Sequence, residues 1–119
     1  MSIEALWAVQ FTGVNGQWAA KSGGVIVVET GRIFGGDTWQ WYTGKYDQDR
    51  AGRLTVEIQT GVHFREGGQS IFGTPLRALK LVGDVEVSSD QRTMHANLTV
   101  DGNPNMRLAA TLTRVAELP

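Results

Sequence analysis

Arg53-Leu54-Thr55-Val56-Glu57-Ile58-Gln59 is the stretch on which the fold class turns. Leu54, Val56 and Ile58 fall on one side of an extended chain; Arg53, Thr55, Glu57 and Gln59 fall on the other. A period of two is what a strand requires when one face meets a core and the other meets water. The second half of the chain repeats it. Leu79, Leu81, Val85 and Val87 oppose Lys80, Asp84 and Glu86. Met94, Ala96, Leu98 and Val100 oppose Thr93, His95, Asn97, Thr99 and Asp101, and Met106, Leu108, Ala110 and Leu112 oppose Arg107, Thr111 and Thr113.

Glycine spacing argues against helices. From Gly13 to Gly73 no glycine-free interval exceeds eight residues. Each interior glycine costs a helix about 1 kcal/mol relative to alanine. The pattern predicts eight strands, at 5–12, 22–29, 31–36, 39–47, 53–62, 77–87, 92–101 and 106–115. Thr30-Gly31 is read as a tight hairpin, Ser88–Gln91 and Asp101–Asn105 as turns. Residues 63–76 form the longest irregular link, with room for one short helical turn. Residues 3–12 and 106–118 can each be drawn as amphipathic helices. Strand is preferred because both alternate, and because first and last strands of an antiparallel sheet hide each other's edges by pairing. The expectation is an all-β, eight-stranded, antiparallel up-and-down barrel of the lipocalin-like kind, with a sandwich as its rival. The whole of 1–119 is read as one domain, since neither a linker nor an internal repeat interrupts it.

Composition narrows the function. Fifteen glycines in 119 residues are nearly twice the usual ~7%, but they punctuate apolar runs and do not form a low-complexity block. Without cysteine there is no disulfide framework, thiol nucleophile or cysteine zinc site. Eleven basic and twelve acidic side chains leave a formal charge of −1, which argues against direct nucleic-acid binding. Met1-Ser2-Ile3-Glu4 lacks the start of a signal peptide, and the longest aliphatic run, Val25–Val28, is far short of the ~20 residues that span a bilayer. A cytoplasmic chain that does not enter a membrane is expected.

Motifs for catalysis fail on inspection. Gly31–Asp37 lacks the Gly-Lys-Ser/Thr ending of a phosphate loop, and Asp37 would repel a phosphate. His63 and His95 lack a nucleophile elbow, and His63 with Glu66 supplies too few ligands for a metal. Asp47-Gln48-Asp49 resembles the start of a calcium loop, but the required bidentate glutamate position is Ile58. No cofactor, metal or catalytic residue is therefore assigned, and a non-enzyme is expected.

Aromatic residues are more informative. Trp39, Trp41, Tyr42 and Tyr46 crowd one strand, with Phe34 just before it. Trp39 and Trp41 at period two point both inward, to fill a core or line an apolar pocket, or both outward, to form a dimer or partner surface. Trp7 and Arg114 become neighbours if the first and last strands pair. A guanidinium over the indole would then help close the barrel, by about 0.5–2 kcal/mol.

Gly24-Val25-Ile26-Val27, Gly31-x-Ile33-x-Gly35-Gly36-Asp37 and Tyr42-x-Gly44 together resemble the GrlR family of type III secretion negative regulators, over about residues 4–58. The resemblance implies a lipocalin-like barrel that forms a homodimer, has no enzymatic activity and sequesters a helix-turn-helix transcriptional activator. It implies contact through an acidic Glu-Asp-Glu-Asp loop after the Tyr-x-Gly strand. Here that loop reads Asp47-Gln48-Asp49-Arg50, so the role passes to Asp47 and Asp49 alone. Lipocalins proper carry Gly-x-Trp in the first strand and a covering arginine in a late one. Ala5-Leu6-Trp7 lacks the glycine, so that likeness is architectural. Two functions are carried forward: a regulatory barrel that sequesters a protein partner, with Asp47 and Asp49 as contacts, and a carrier of a small apolar ligand or lipid in a lipocalin-like cavity.

Overall fold

The computed structural model describes residues 2–18, 22–63, 72 and 77–119. Nine strands follow one another: β1 (Ala5–Val14), β2 (Gln17–Trp18), β3 (Gly23–Glu29), β4 (Arg32–Gly36), β5 (Gln40–Gln48), β6 (Leu54–Val62), β7 (Leu79–Val87), β8 (Thr93–Val100) and β9 (Asn103–Ala116). All pairings are antiparallel, and no helix occurs among the described residues. Strands β1 and β3–β9 pair in order and β9 returns to β1, so eight staves close a barrel. The two-residue β2 is a stub on β1 that the alternation did not anticipate, because two residues carry no period.

Alternation explains the core. Leu54, Val56, Leu81, Val85, Met94, Ala96, Leu98, Val100, Leu108, Ala110 and Leu112 all point inward and are buried. Removing each of the Val, Leu and Met side chains from water stabilises the barrel by roughly 1.5–3 kcal/mol. Register shifts in β1 and β8 mark bulges, which bend staves enough to close the ring. Both chain ends that could be drawn as helices are strands, because each buries its alternate residues and finds partners on both sides.

Two strand boundaries differ in ways that matter. Strand β5 starts at Gln40, so Trp39 lies in the preceding bend and shares no strand face with Trp41. The cause is Asp37, whose Oδ1 accepts the backbone N–H groups of Trp39 (2.9 Å) and Gln40 (2.8 Å) and folds the chain into a turn. Strand β9 starts earlier, at Asn103, leaving a turn at Asp101-Gly102. The link at 63–76, with its allowance for a helical turn, is described only at His63 and Phe72.

The β3–β4 hairpin turns on Thr30 (φ 51°) and Gly31 (φ 77°). Positive φ at both centres is the hairpin turn whose twist matches its strands. The β-branched Thr30 is strained there, and its N–H donates to Glu4 Oε2 at 2.9 Å, which holds the turn against the chain start.

One end of the barrel is closed. Ser2–Glu4 crosses it, with Ile3 buried and its carbonyl accepting the Trp7 Nε1–H at 3.0 Å. Trp7 and Arg114 are register partners, and the guanidinium lies 5.7 Å from the indole centroid. Arg114 donates to Ser2 O (2.7 Å), Glu4 O (3.4 Å), Gln91 O (3.3 Å) and both carboxylate oxygens of Glu117 (2.8 Å each). All of its N–H groups are used, so the charge is desolvated without being left unpaired.

Candidate functional site

The outer surface divides into two unlike regions. Across β6 and β7 it is charged. Glu57 accepts from Lys45 (3.2 Å) and Lys80 (3.3 Å), Lys80 reaches Asp101 (3.8 Å), and Arg53 reaches Glu86 (3.5 Å). The two ammonium groups hold the Glu57 carboxyl below its ordinary value. Ladders of this kind suit water.

The outer surface of β3–β5 is apolar. Val25 is 48% exposed, Phe34 40% and Trp41 40%. Register aligns them: Val25 pairs with Gly36, Gly36 with Trp41 and Trp41 with Gly61, while Val27 pairs with Phe34 and Phe34 with Thr43. Gly36, between Val25 and Trp41, lets the backbone of β5 approach closely: a Cβ there would lie 2.7 Å from the Gln40 carbonyl oxygen. On the other side the indole lies flat over Gly61, where a Cβ would overlap the ring. Arg32 stacks over Phe34 at 5.5 Å, and Glu29, Arg32 and Lys45 form a charged border. This apolar patch with its charged rim is the candidate site on the outer face.

The aromatic group read from the sequence is thus split. Phe34 and Trp41 point out; Tyr42 and Tyr46 point in and line the interior. Tyr42 donates its hydroxyl to Asp37 Oδ2. Burial, first, and then the hydrogen bond and charge of Asp37 push the phenol well above its ordinary pKa, so it stays a neutral donor. His63 joins the same turn, through Nε2 to Asp37 O (3.1 Å) and N–H to Trp39 O (2.9 Å). The Tyr42–Asp37 pair went unnoticed in the sequence because only the bend brings the two side chains together.

The acidic pair is also divided. Asp47 projects outward at the end of β5 and is exposed. Asp49 is exposed too, but Oδ1 accepts the N–H of Ala51 (2.9 Å) and of Arg53 (3.0 Å), so it builds its own turn. Trp41 and Asp47 share the outer face of β5, six residues or about 20 Å apart.

Inside the barrel lies a cavity of about 80 Å³, walled by side chains from every full stave, mostly aliphatic, with Phe11, Tyr42 and Tyr46 as its aromatics. Ala96 and Ala110, paired across β8 and β9, are the smallest side chains in its lining. Among the described residues no group of three or more His, Cys, Asp or Glu could hold a metal. No family model matches the sequence, and no curated protein does.

Proposed function

We propose that this chain is a non-enzymatic regulatory barrel of the GrlR type, a homodimer that sequesters a protein partner on its outer surface. The partner class is a helix-turn-helix transcriptional regulator, kept from its DNA while held. The observation that carries the reading is the contrast between outside and inside. Val25, Phe34 and Trp41 stand exposed on β3–β5, whereas the interior keeps only about 80 Å³ empty. Drug-sized ligands need roughly 300–1,000 Å³, so the cavity supports a carrier of lipids less well than the surface supports a docking protein. In this reading Asp47 steers a basic partner toward the barrel, chiefly by raising the encounter rate.

The test is the double substitution Phe34→Glu with Trp41→Glu. Both side chains are on the outer face, so the barrel should keep its circular dichroism and melting temperature. The wild-type chain should sediment as a dimer and co-purify with a helix-turn-helix regulator. The double variant should lose one or both associations. Equal association by the two chains sinks the assignment of this face, and a monomeric wild type sinks the dimer.

A further inference from the structure

The docking face and the cavity are two sides of one wall, a single strand layer thick. On β4 and β5, Ile33 and Tyr42 line the cavity, and their chain neighbours Phe34 and Trp41 form the face outside. The register sets Ile33 beside Gly44 and Gly35 beside Tyr42, so between β4 and β5 each large inward side chain has a glycine on one side, with Val28 and Thr60 on the other. The opposite wall is different. There Leu98 pairs with Leu108 and Met94 with Leu112 along strands of 8 and 14 residues, whereas β4 has five. As the shortest full stave, β4 has the fewest ladder partners to break if the wall is to yield.

The cavity is lined without a charged group. Tyr42 and Tyr46 carry the hydroxyls of the lining, and that of Tyr42 is already donated to Asp37. A polar guest would lose its hydration with nothing in return, whereas an apolar one gains contacts that the void lacks. At about 80 Å³ the cavity is near half the size of an engineered 150 Å³ cavity that takes benzene or xenon. A single large atom fits as the walls stand. A ring of six carbons fits only if a wall moves.

We infer that the barrel interior is a regulatory site for a small uncharged apolar molecule, and that its occupancy repositions Trp41 on the docking face by displacing Ile33 and Tyr42. This rests on the reading of that face as the working surface, but the coupling is measurable without any partner. Tyr42 is the mechanical link: its ring is in the cavity wall, its hydroxyl holds the Asp37 turn, and its backbone adjoins Trp41. A ligand that prefers the displaced wall shifts the face by its difference in affinity for the two arrangements.

The experiment uses the full chain labelled with 5-fluorotryptophan, whose four tryptophan signals are assigned by single substitutions to phenylalanine, together with labelled alanine and isoleucine methyls. Xenon and benzene are the probes. Xenon should perturb the Ala96, Ala110 and Ile58 methyls and leave the Trp41 fluorine signal in place. Benzene should perturb the same methyls saturably and move the Trp41 signal along the same binding curve. Ala110→Leu, which fills the cavity from the rigid wall, should weaken benzene at least tenfold; Ala96→Val is the milder substitute if that chain misfolds. Methyls that respond to neither probe overturn the site. Methyls that respond to benzene while Trp41 stays still overturn the coupling. Loss of partner capture in the Phe34 and Trp41 double variant, or its persistence, bears only on the docking assignment, so the two failures are separable.

Discussion

The two ends of the barrel are built on different physics. The closed end is an aromatic packed under a cation: Trp7 is fully buried, and Arg114 ties the chain start, the β7–β8 turn and the chain end together over it. The other end is held by hydrogen bonds around a turn, with Tyr42 on Asp37 and the Thr60 hydroxyl accepting the Leu79 N–H at 3.1 Å. An apolar anchor is non-directional and contributes through area. A polar clasp contributes little net energy, depends on protonation and fixes geometry. The closed end thus holds the barrel together. The clasped end fixes the turn that leads into Trp41.

The largest effect should come from breaking the anchor. Trp7→Ala leaves a cavity at the closed end and should cost about 3–5 kcal/mol in urea unfolding. A loss under about 1 kcal/mol would mean that the two ends contribute alike. Next is Arg114→Lys, which keeps the charge and loses the fork. It should cost about 1–3 kcal/mol, because several carbonyls and the Glu117 carboxylate lose their donors together.

Tyr42→Phe at the clasped end should cost about 1 kcal/mol at neutral pH. Its pH dependence separates the ends more sharply. The folded-state pKa of Tyr42 is raised, so its contribution is complete below the ordinary phenol value of about 10 and declines as pH rises above it. Wild-type stability should fall across that alkaline range, and Tyr42→Phe should flatten the fall; parallel curves would place the titration elsewhere.

Asp49→Ala should cost about 1 kcal/mol through its turn, with partner capture affected less than by Asp47→Lys. The smallest effect is expected from Glu57→Gln on the charged outer face. Its melting temperature should stay within error of wild type, since exposed ion pairs are screened by water and salt. A clear drop that vanishes in high salt would show the ladder to be stronger than its exposure suggests.

Much of this was legible before any coordinates. The alternation of Leu54–Ile58 and of Met94–Val100 placed inward residues correctly, because a sheet with one wet face permits only one phase. Trp7 beside Arg114 was also readable once the first and last strands were taken to pair. The direction of Trp41 was readable too, though it was left open: it shares parity with Thr43, Lys45 and Asp47, and Lys45 and Asp47 belong in water. What misled was the grouping of aromatics by proximity, which joined Trp39 to Trp41 across a turn and set Tyr42 beside residues of the opposite face.

The sequence by itself determined the strand periodicity, the inward set and the absence of a thiol or basic surface, since these depend on residue types and on neighbours two apart. Tertiary structure alone decided the rest. The apolar patch joins Val25, Phe34 and Trp41 from three strands, and Gly61 is covered by an indole from the strand beside it. The Tyr42–Asp37 clasp needs the bend at Trp39, and the cavity of about 80 Å³ is the remainder of all eight staves at once. Those features depend on register and on how closely strands approach, quantities that pairing sets and no single strand contains.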